Sequence, residues 1–228
     1  MTQDRIPVGI RAIEYYLPAK KEVGEELVRE NPDWRIADIE KKTGVQTRYI
    51  SAPEETAVDM AEQAAHKLFS GDVRRNEIDF LLFVTQSPDY LVPTSACILQ
   101  YRLALPSSCM AFDINLGCSG FIYGLAIASS LIKTGLAQQG LLICGDTYTK
   151  FIDAADRTCR PLFSDAAVAT LIQKTDRALL GPFELGTDGS GSNDLVVTDS
   201  ALRDTNKQRV APGTLFMNGS KVYLFTLD

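Results

Sequence analysis

The chain holds one histidine and one tryptophan among 228 residues, and this scarcity narrows its chemistry. Five cysteines stand at 97, 109, 118, 144 and 159, and none forms a C-x-x-C pair. With only His66 to join them, a zinc site is not expected, and no metal ligand is assigned. An odd set of unpaired cysteines also argues for a reducing compartment, so a cytoplasmic location is expected. Basic residues are in deficit: the net charge is −6, the wrong sign for general nucleic-acid binding. The opening residues MTQDRIPVGI have no basic region leading into an apolar core, so they do not read as a signal peptide. No apolar run reaches the ~20 residues of a membrane span, and no membrane partner is expected. What remains is ordinary for a soluble globular protein of one large or two small domains, with 45% hydrophobic and 23% charged residues.

Strand-like and helix-like segments alternate. Val8 to Tyr15 reads as a strand stopped by Pro18. Glu22 to Arg29 and Ile36 to Lys42 read as short helices, the second ended by Gly44. Thr56 to Phe69 carries Ala57, Met60, Ala61, Ala64, Ala65 and Leu68 at helical spacing. Ile78 to Thr85 is a continuous apolar run suited to a buried strand. Thr94 is placed to cap a helix reaching Leu103. Met110 to Ile114, Leu141 to Gly145 and Ala166 to Gln173 read as further strands, and Pro182 to Leu185 opens another. Such alternation predicts a layered α/β fold with a mostly parallel sheet. From Thr187 to about Gly213 the chain turns rich in Gly, Ser, Asp, Asn and Thr and reads as a long loop, after which Asn218 to Asp228 begins an amphipathic helix pattern.

The chemistry concentrates at Cys118. It follows the Met110 to Ile114 strand and the turn Asn115-Leu116-Gly117, and it precedes an apolar helix pattern, Ser119 to Thr134, whose only charge is Lys133. A helix apolar nearly all round is expected to be buried centrally. Backbone N–H groups and the helix dipole at its start favour a thiolate and can stabilise an oxyanion on a thioester carbonyl. Cys118 is therefore a candidate acyl-accepting nucleophile; the competing reading is a small buried hydrophobe at a helix start. Cys97, Cys109 and Cys144 read as packing cysteines, whereas Cys159, in a polar loop, is expected to be open to solvent.

Several segments, in order, resemble one family. TGVQTRYI (43–50) is similar to its TGI-x-x-R segment, and TQSPDYLVPTSACILQYRL (85–103) to the segment before the nucleophile strand. AFDINLGCSGFIYGL (111–125) resembles the nucleophile motif, with Cys118 in the cysteine's place. GDTYTKFIDAADRTCRPLFSDAAVATLI (145–172), LGTDGSGSNDL (185–195) and FMNGSKVYLF (216–225) resemble three later landmarks. The chain is identified on these grounds as resembling the N-terminal portion of a β-ketoacyl-acyl carrier protein synthase III, of the thiolase-like superfamily.

The resemblance implies a thiolase-like layered α-β-α fold. Residues 1–174 would be a complete N-terminal half with the nucleophile, and 175–228 the beginning of a truncated C-terminal half. It implies an acyltransferase of fatty acid biosynthesis in which Cys118 accepts an acyl group from acyl-CoA for decarboxylative Claisen condensation with malonyl-ACP, with no cofactor. The family's His and Asn fall beyond this sequence, and His66, on the Thr56 to Phe69 helix in no matching motif, does not replace them; the chain alone is expected not to complete a condensation. Trp34 and Arg157 match the pair that sandwiches the CoA adenine. Trp34 is also read as a core anchor. Arg48 matches the TGI-x-x-R arginine and is read either as a CoA contact or as a structural ion pair. Asp165 is kept in SDAA (164–167), where the family's flanking glycines are not. Ser220 stands where relatives carry an Asn that contacts pantetheine. Val92 matches the residue that shapes the partner's acyl pocket across a homodimer. Acyl-CoA, acyl carrier protein and a second copy are thus the expected partners. Another thiolase-superfamily condensing enzyme, such as a hydroxymethylglutaryl-CoA or polyketide-starter synthase, and a non-catalytic acyl-CoA or carrier-protein binding fragment are the alternatives.

Overall fold

A computed structural model describes residues 6–176, 180–197 and 215–217. In chain order the elements are β1 (Val8–Tyr16), β2 (Lys20–Val23), α1 (Gly24–Glu30), α2 (Ile36–Thr43), β3 (Thr47–Ile50), α3 (Ala57–Phe69), β4 (Phe80–Val84), α4 (Ser95–Arg102), β5 (Met110–Ile114), α5 (Gly120–Lys133), β6 (Gln139–Asp146), β7 (Ala166–Lys174), β8 (Leu195–Val197) and β9 (Leu215–Met217). They divide into two compact units. Among the described residues, the larger takes 6–19, 51–147, 165–176 and 180–185; the smaller takes 20–50, 148–164, 186–197 and 215–217.

The larger unit is built on a five-stranded sheet ordered β1-β7-β6-β4-β5. Central β4 explains the layering. Its run FLLFV is buried at every position, because alternate side chains enter different cores. Leu81 and Phe83 join Ala61, Ala64, Ala65, Leu68 and Leu99 of α3 and α4 on one face. Phe80, Leu82 and Val84 join Leu125, Ala128 and Ile132 of α5 on the other. The sheet is therefore sandwiched between helices. Four of its five strands run in one direction, as expected of a mostly parallel sheet, and β7 alone is reversed. β4 runs parallel to β5 and β6, but β7 is antiparallel to both β6 and β1. Buried apolar strands read the same in either direction, so direction is set by the connections.

Three local expectations change. α5 buries Gly124, Leu125, Ala128, Ser129 and Ile132 against the sheet, while Ile122 and Lys133 on its outer side are exposed; the helix is covered on one face, not all round. Thr94 makes no side-chain cap to α4. Asp113 of β5 does that work, accepting from the backbone N–H groups of Ser95 and Ala96, each at 2.7 Å. Finally, residues 182–185 form no strand.

In the smaller unit β2 pairs antiparallel with β3, and β8 with β9. Glu22, expected in a helix, lies in β2, and the helix starts only at Gly24. Leu27, Trp34 and Ile36 form a small core beneath α1 and α2, with Ile39 packed on it. β8 falls within the stretch expected to be all loop. The helix expected over 218–228, and Ser220 within it, lie outside the described residues.

Candidate active site around Cys118

Cys118 lies in the short turn joining β5 to α5, and its side chain is exposed. The turn is closed by the Gly120 N–H donating to the Gly117 carbonyl at 2.8 Å. Its N-terminal end is tied to the sheet, because the carbonyl of Ile114 accepts from the Thr85 N–H at 3.1 Å. The thiol therefore sits on the crest formed by the C-terminal ends of parallel β4, β5 and β6, where open α/β sheets place their ligands. The helix start is pressed onto that crest, with Gly120 packed directly over Val84 of β4.

The other cysteines differ in setting. Burial pushes the Cys109 thiol up to about 11, with Asp79 adding to it. Burial, then the charge of Asp146, pushes Cys144 up to about 12. Cys159, expected to be open to solvent, is buried. Burial and a hydrogen bond to Asp156 push its thiol up to about 12. Cys97, expected to pack, is exposed: α4 turns Ala96 and Leu99 to the core, leaving Cys97 and Tyr101 on its outer side. Among the described residues, then, Cys118 and Cys97 are the accessible thiols, and Cys118 alone stands at a strand–helix turn.

Asp146, at the end of β6, organises the same crest. Its Oδ1 accepts from Thr85 Oγ1 at 3.0 Å, from the N–H groups of Gln86 at 2.7 Å and Ser87 at 3.0 Å, and from Ser87 Oγ at 2.9 Å. Burial raises the Asp146 carboxyl above the usual carboxylate range, although these hydrogen bonds oppose it. The hydroxyl of Ser87 in turn accepts from the Thr147 N–H at 2.9 Å. One carboxylate thus binds the segment leaving β4 to the end of β6. The sequence shows Asp146 as part of a G-D pair but does not show what it holds, because its partners are some sixty positions away. Beyond Ser87 the loop exposes Tyr90, Leu91 and Val92, at 61%, 70% and 84% of their full surface.

In the smaller unit, Arg48 is buried and pairs with buried Glu22. It also donates to the Phe163 carbonyl at 2.9 Å. Arg160 approaches the same Glu22 at 3.3 Å and Glu30 at 2.5 Å. Arg48 is thus built into an ionic core. Trp34 keeps only 9% of its surface, within the cluster of Leu27 and Ile36. Arg157 is exposed. Its neighbour Asp156 accepts from the N–H groups of Thr158 at 2.8 Å and Cys159 at 3.1 Å. Burial works against that carboxylate, but these donors prevail and hold it below the usual range. His66 lies on α3 beside Glu62, at 3.5 Å, and Arg75, at 3.3 Å. Among the described residues no group of three His, Cys, Asp or Glu side chains is placed to hold a metal ion, and no helix is long and apolar enough to cross a membrane.

Residues 112–189 match the family model 3-oxoacyl-[acyl-carrier-protein (ACP)] synthase III. A protein of Campylobacter jejuni described as a 3-oxoacyl-[acyl-carrier-protein] synthase 3 is 41% identical over 181 residues, covering 78% of this chain and 50% of that protein. The β-ketoacyl-[acyl-carrier-protein] synthase III of Caldanaerobacter subterraneus subsp. tengcongensis is 33% identical over 98% of this chain and 69% of its own length. A crystal structure of a 3-oxoacyl-(acyl-carrier-protein) synthase III aligns with a TM-score of 0.86 at 40% identity, over 93% of this chain and 68% of that one. The chain belongs to the β-ketoacyl-acyl carrier protein synthase III family and has its thiolase-like α/β fold. It spans half the length of the first of these relatives and about two thirds of the second.

Proposed function

We propose that this chain carries the acyl-accepting part of a β-ketoacyl-ACP synthase III, with Cys118 as nucleophile. The observation that carries this reading is the exposed thiol in the turn that opens α5. Cys118 Sγ, as thiolate, attacks the carbonyl of an acyl-CoA. The oxyanion is met by backbone N–H groups at the start of α5, the C–S bond to CoA breaks, and CoA leaves as a thiolate that takes up a proton from solvent. The product is an acyl thioester on Cys118. In the complete reaction a carbanion from decarboxylated malonyl-ACP attacks the carbonyl of the Cys118 thioester; the new C–C bond forms, the C–S bond to Cys118 breaks, and the Cys118 thiolate is released. No step requires a metal or a cofactor.

Residues 1–174 are read as the N-terminal thiolase-like half and 175–228 as the start of the second. Exposed Arg157 is the proposed contact for the CoA nucleotide. The burial of Trp34 and Arg48 favours structural roles over ligand contact. A second copy is the proposed partner of the β5 side of the sheet. Among the described residues β5 is an edge strand, with no strand paired on its outer side. Tyr101 and the Tyr90–Val92 loop add exposed apolar surface near it, and Val92 would enter the partner's acyl pocket. The protein is proposed to act in the cytoplasm, with acyl carrier protein as its second substrate carrier. Mixing the chain with a short acyl-CoA and titrating free CoA thiol tests the reading: release should be stoichiometric with the chain and absent in Cys118→Ala. Release that survives this substitution would refute it.

A further inference from the structure

The loop that carries Val92 is held at one point by an arrangement that neither the chemistry of Cys118 nor the family resemblance explains. Thr56 caps α3. Its Oγ1 accepts from the Asp59 N–H at 3.2 Å, and the Asp59 carboxylate accepts from the Thr56 N–H at 2.9 Å. That leaves Thr56 Oγ1 with one hydrogen to donate, and two carboxylate oxygens compete for it. Asp59 Oδ2 lies at 3.0 Å and Asp89 Oδ2, from the loop, at 3.1 Å. A hydroxyl has a single hydrogen and two lone pairs. If both carboxyls are ionised, one oxygen faces the hydroxyl without a hydrogen between them. If Asp89 holds a proton, Thr56 donates to Asp59 and accepts from Asp89, and all three contacts are hydrogen bonds.

The surrounding charges favour that second state. The cation that faces the pair, Arg102 of α4, is already engaged by Asp59 Oδ1 at 2.8 Å and by Glu62. Among the described residues, Asp89 therefore forms no ion pair of its own. Its carboxyl is raised above the usual range by burial first and by the charge of Asp59, despite hydrogen bonds from Thr56 and the Val58 N–H and the pull of Arg102. Asp59 is shifted the opposite way: burial opposes ionisation, but the hydrogen bonds of Thr56 and Arg102 prevail.

We infer that Asp89 is the positioning residue for this loop, its carboxyl bridging through Thr56 Oγ1 to Asp59 and so tying the segment that leads into Tyr90, Leu91 and Val92 to the start of α3. The flanking anchors are elsewhere: Ser87 is held by Asp146, and Ser95 by Asp113. Asp89 is a further attachment between them, on the N-terminal side of Val92. Because the folded carboxyl is raised, the folded state holds the extra proton, so the contribution of Asp89 is complete below its ordinary range and is lost as pH rises through the raised value. Asp59, shifted down, contributes above its ordinary range and fails on acidification. The bridge is strongest between the two titrations. The link to acyl selectivity through Val92 rests on the proposed function; the bridge itself does not.

Hydrogen exchange of the peptide spanning residues 86–93, read by mass spectrometry and divided by the intrinsic rate at each pH, tests the bridge without any acyl transfer. As pH is raised from the ordinary carboxylate range, near ~4, past neutrality, wild-type protection should fall about tenfold, the scale of one hydrogen bond. Asp89→Asn, whose carboxamide donates to Thr56 Oγ1 at every pH, should stay protected with a flat profile. Thr56→Val should lose protection at all pH values. A flat wild-type profile, or an Asp89→Asn protein that keeps the wild-type pH dependence or is unprotected throughout, would overturn the assignment. Failure of Cys118 acylation with the exchange profile intact would count against the proposed function alone.

Discussion

The Cβ that Gly120 lacks would lie 2.3 Å from Cγ1 of Val84. That distance is shorter than any ordinary carbon contact, so the start of α5 rests on β4 with no room for a methyl group. Gly124, one turn on, has the same relation to Leu142, at 2.4 Å from Cδ1. The two glycines let the helix approach the strand crest, and Cys118 is carried two residues before the first of them. Gly120→Ala must push either the helix or Val84 aside. Overpacking of this kind costs about 1–3 kcal/mol, and the displacement falls on the turn that holds the thiol. Chemical denaturation should show the loss. Acylation of Cys118 should slow at least tenfold in protein that is still folded, whereas Gly135→Ala, distant from the crest, should leave the acylation rate unchanged.

Thiol labelling should divide the five cysteines into two groups. At about pH 8, close to the pKa of a free thiol, iodoacetamide should modify Cys118 and Cys97. Cys109, Cys144 and Cys159 should resist, because burial limits access and raised pKa values of about 11, 12 and 12 keep them as thiols. Peptide mapping after short exposure checks this. Cys97→Ser should leave Cys118 as the one fast site. Rapid modification of Cys144 or Cys159 in folded protein would contradict the burial seen here.

Arg48 and Glu22 form the clearest stability test in the smaller unit. Both are almost fully buried, so removing one partner leaves a charge without water. Arg48→Met should destabilise by about 3 kcal/mol, moderated by Arg160, which also reaches Glu22. The double variant Arg48→Met with Glu22→Leu should recover most of that loss. A ligand-contact role for Arg48 would instead leave thermal stability unchanged and weaken CoA binding.

The edge position of β5 and the exposed Tyr90, Leu91, Val92 and Tyr101 predict self-association through this side of the sheet. Light scattering at tens of micromolar, in the usual range for testing weak dimers, should report a dimer. Leu91→Lys with Tyr101→Lys should shift it to monomer while the melting profile of the larger unit is kept. A monomer in the wild type would remove the basis for a pocket role of Val92.

Much of the architecture is readable from residue patterns because burial follows periodicity. The run Phe80 to Val84 reads as a central strand since both its faces meet helices, and the apolar spacing of Ala57 to Leu68 reads as the face that α3 presents. Strand direction is less readable: Ala166 to Lys174 would be equally apolar in a parallel strand. Long-range polar pairing is hidden altogether. Glu22 looks like a helix start, yet it sits in β2 because Arg48 needs a buried partner. Cys118 stands out because its turn and helix are contiguous in sequence. Asp146, Asp113 and Asp89 do not, because each binds groups from other segments. Cys97 and Cys159 exchange the exposures expected of them, since short polar loops and short helices take their burial from the neighbours they pack on.

Covalent acylation at Cys118 underlies every functional role proposed for this chain. The decisive measurement is intact and peptide mass spectrometry of the chain after incubation with a short acyl-CoA. The predicted result is a mass increase of one acyl group, located on the peptide containing Cys118, released by hydroxylamine as a thioester, and absent in Cys118→Ala. An acyl group found on Cys97 instead, or no adduct while Cys118 still reacts with iodoacetamide, would contradict the account.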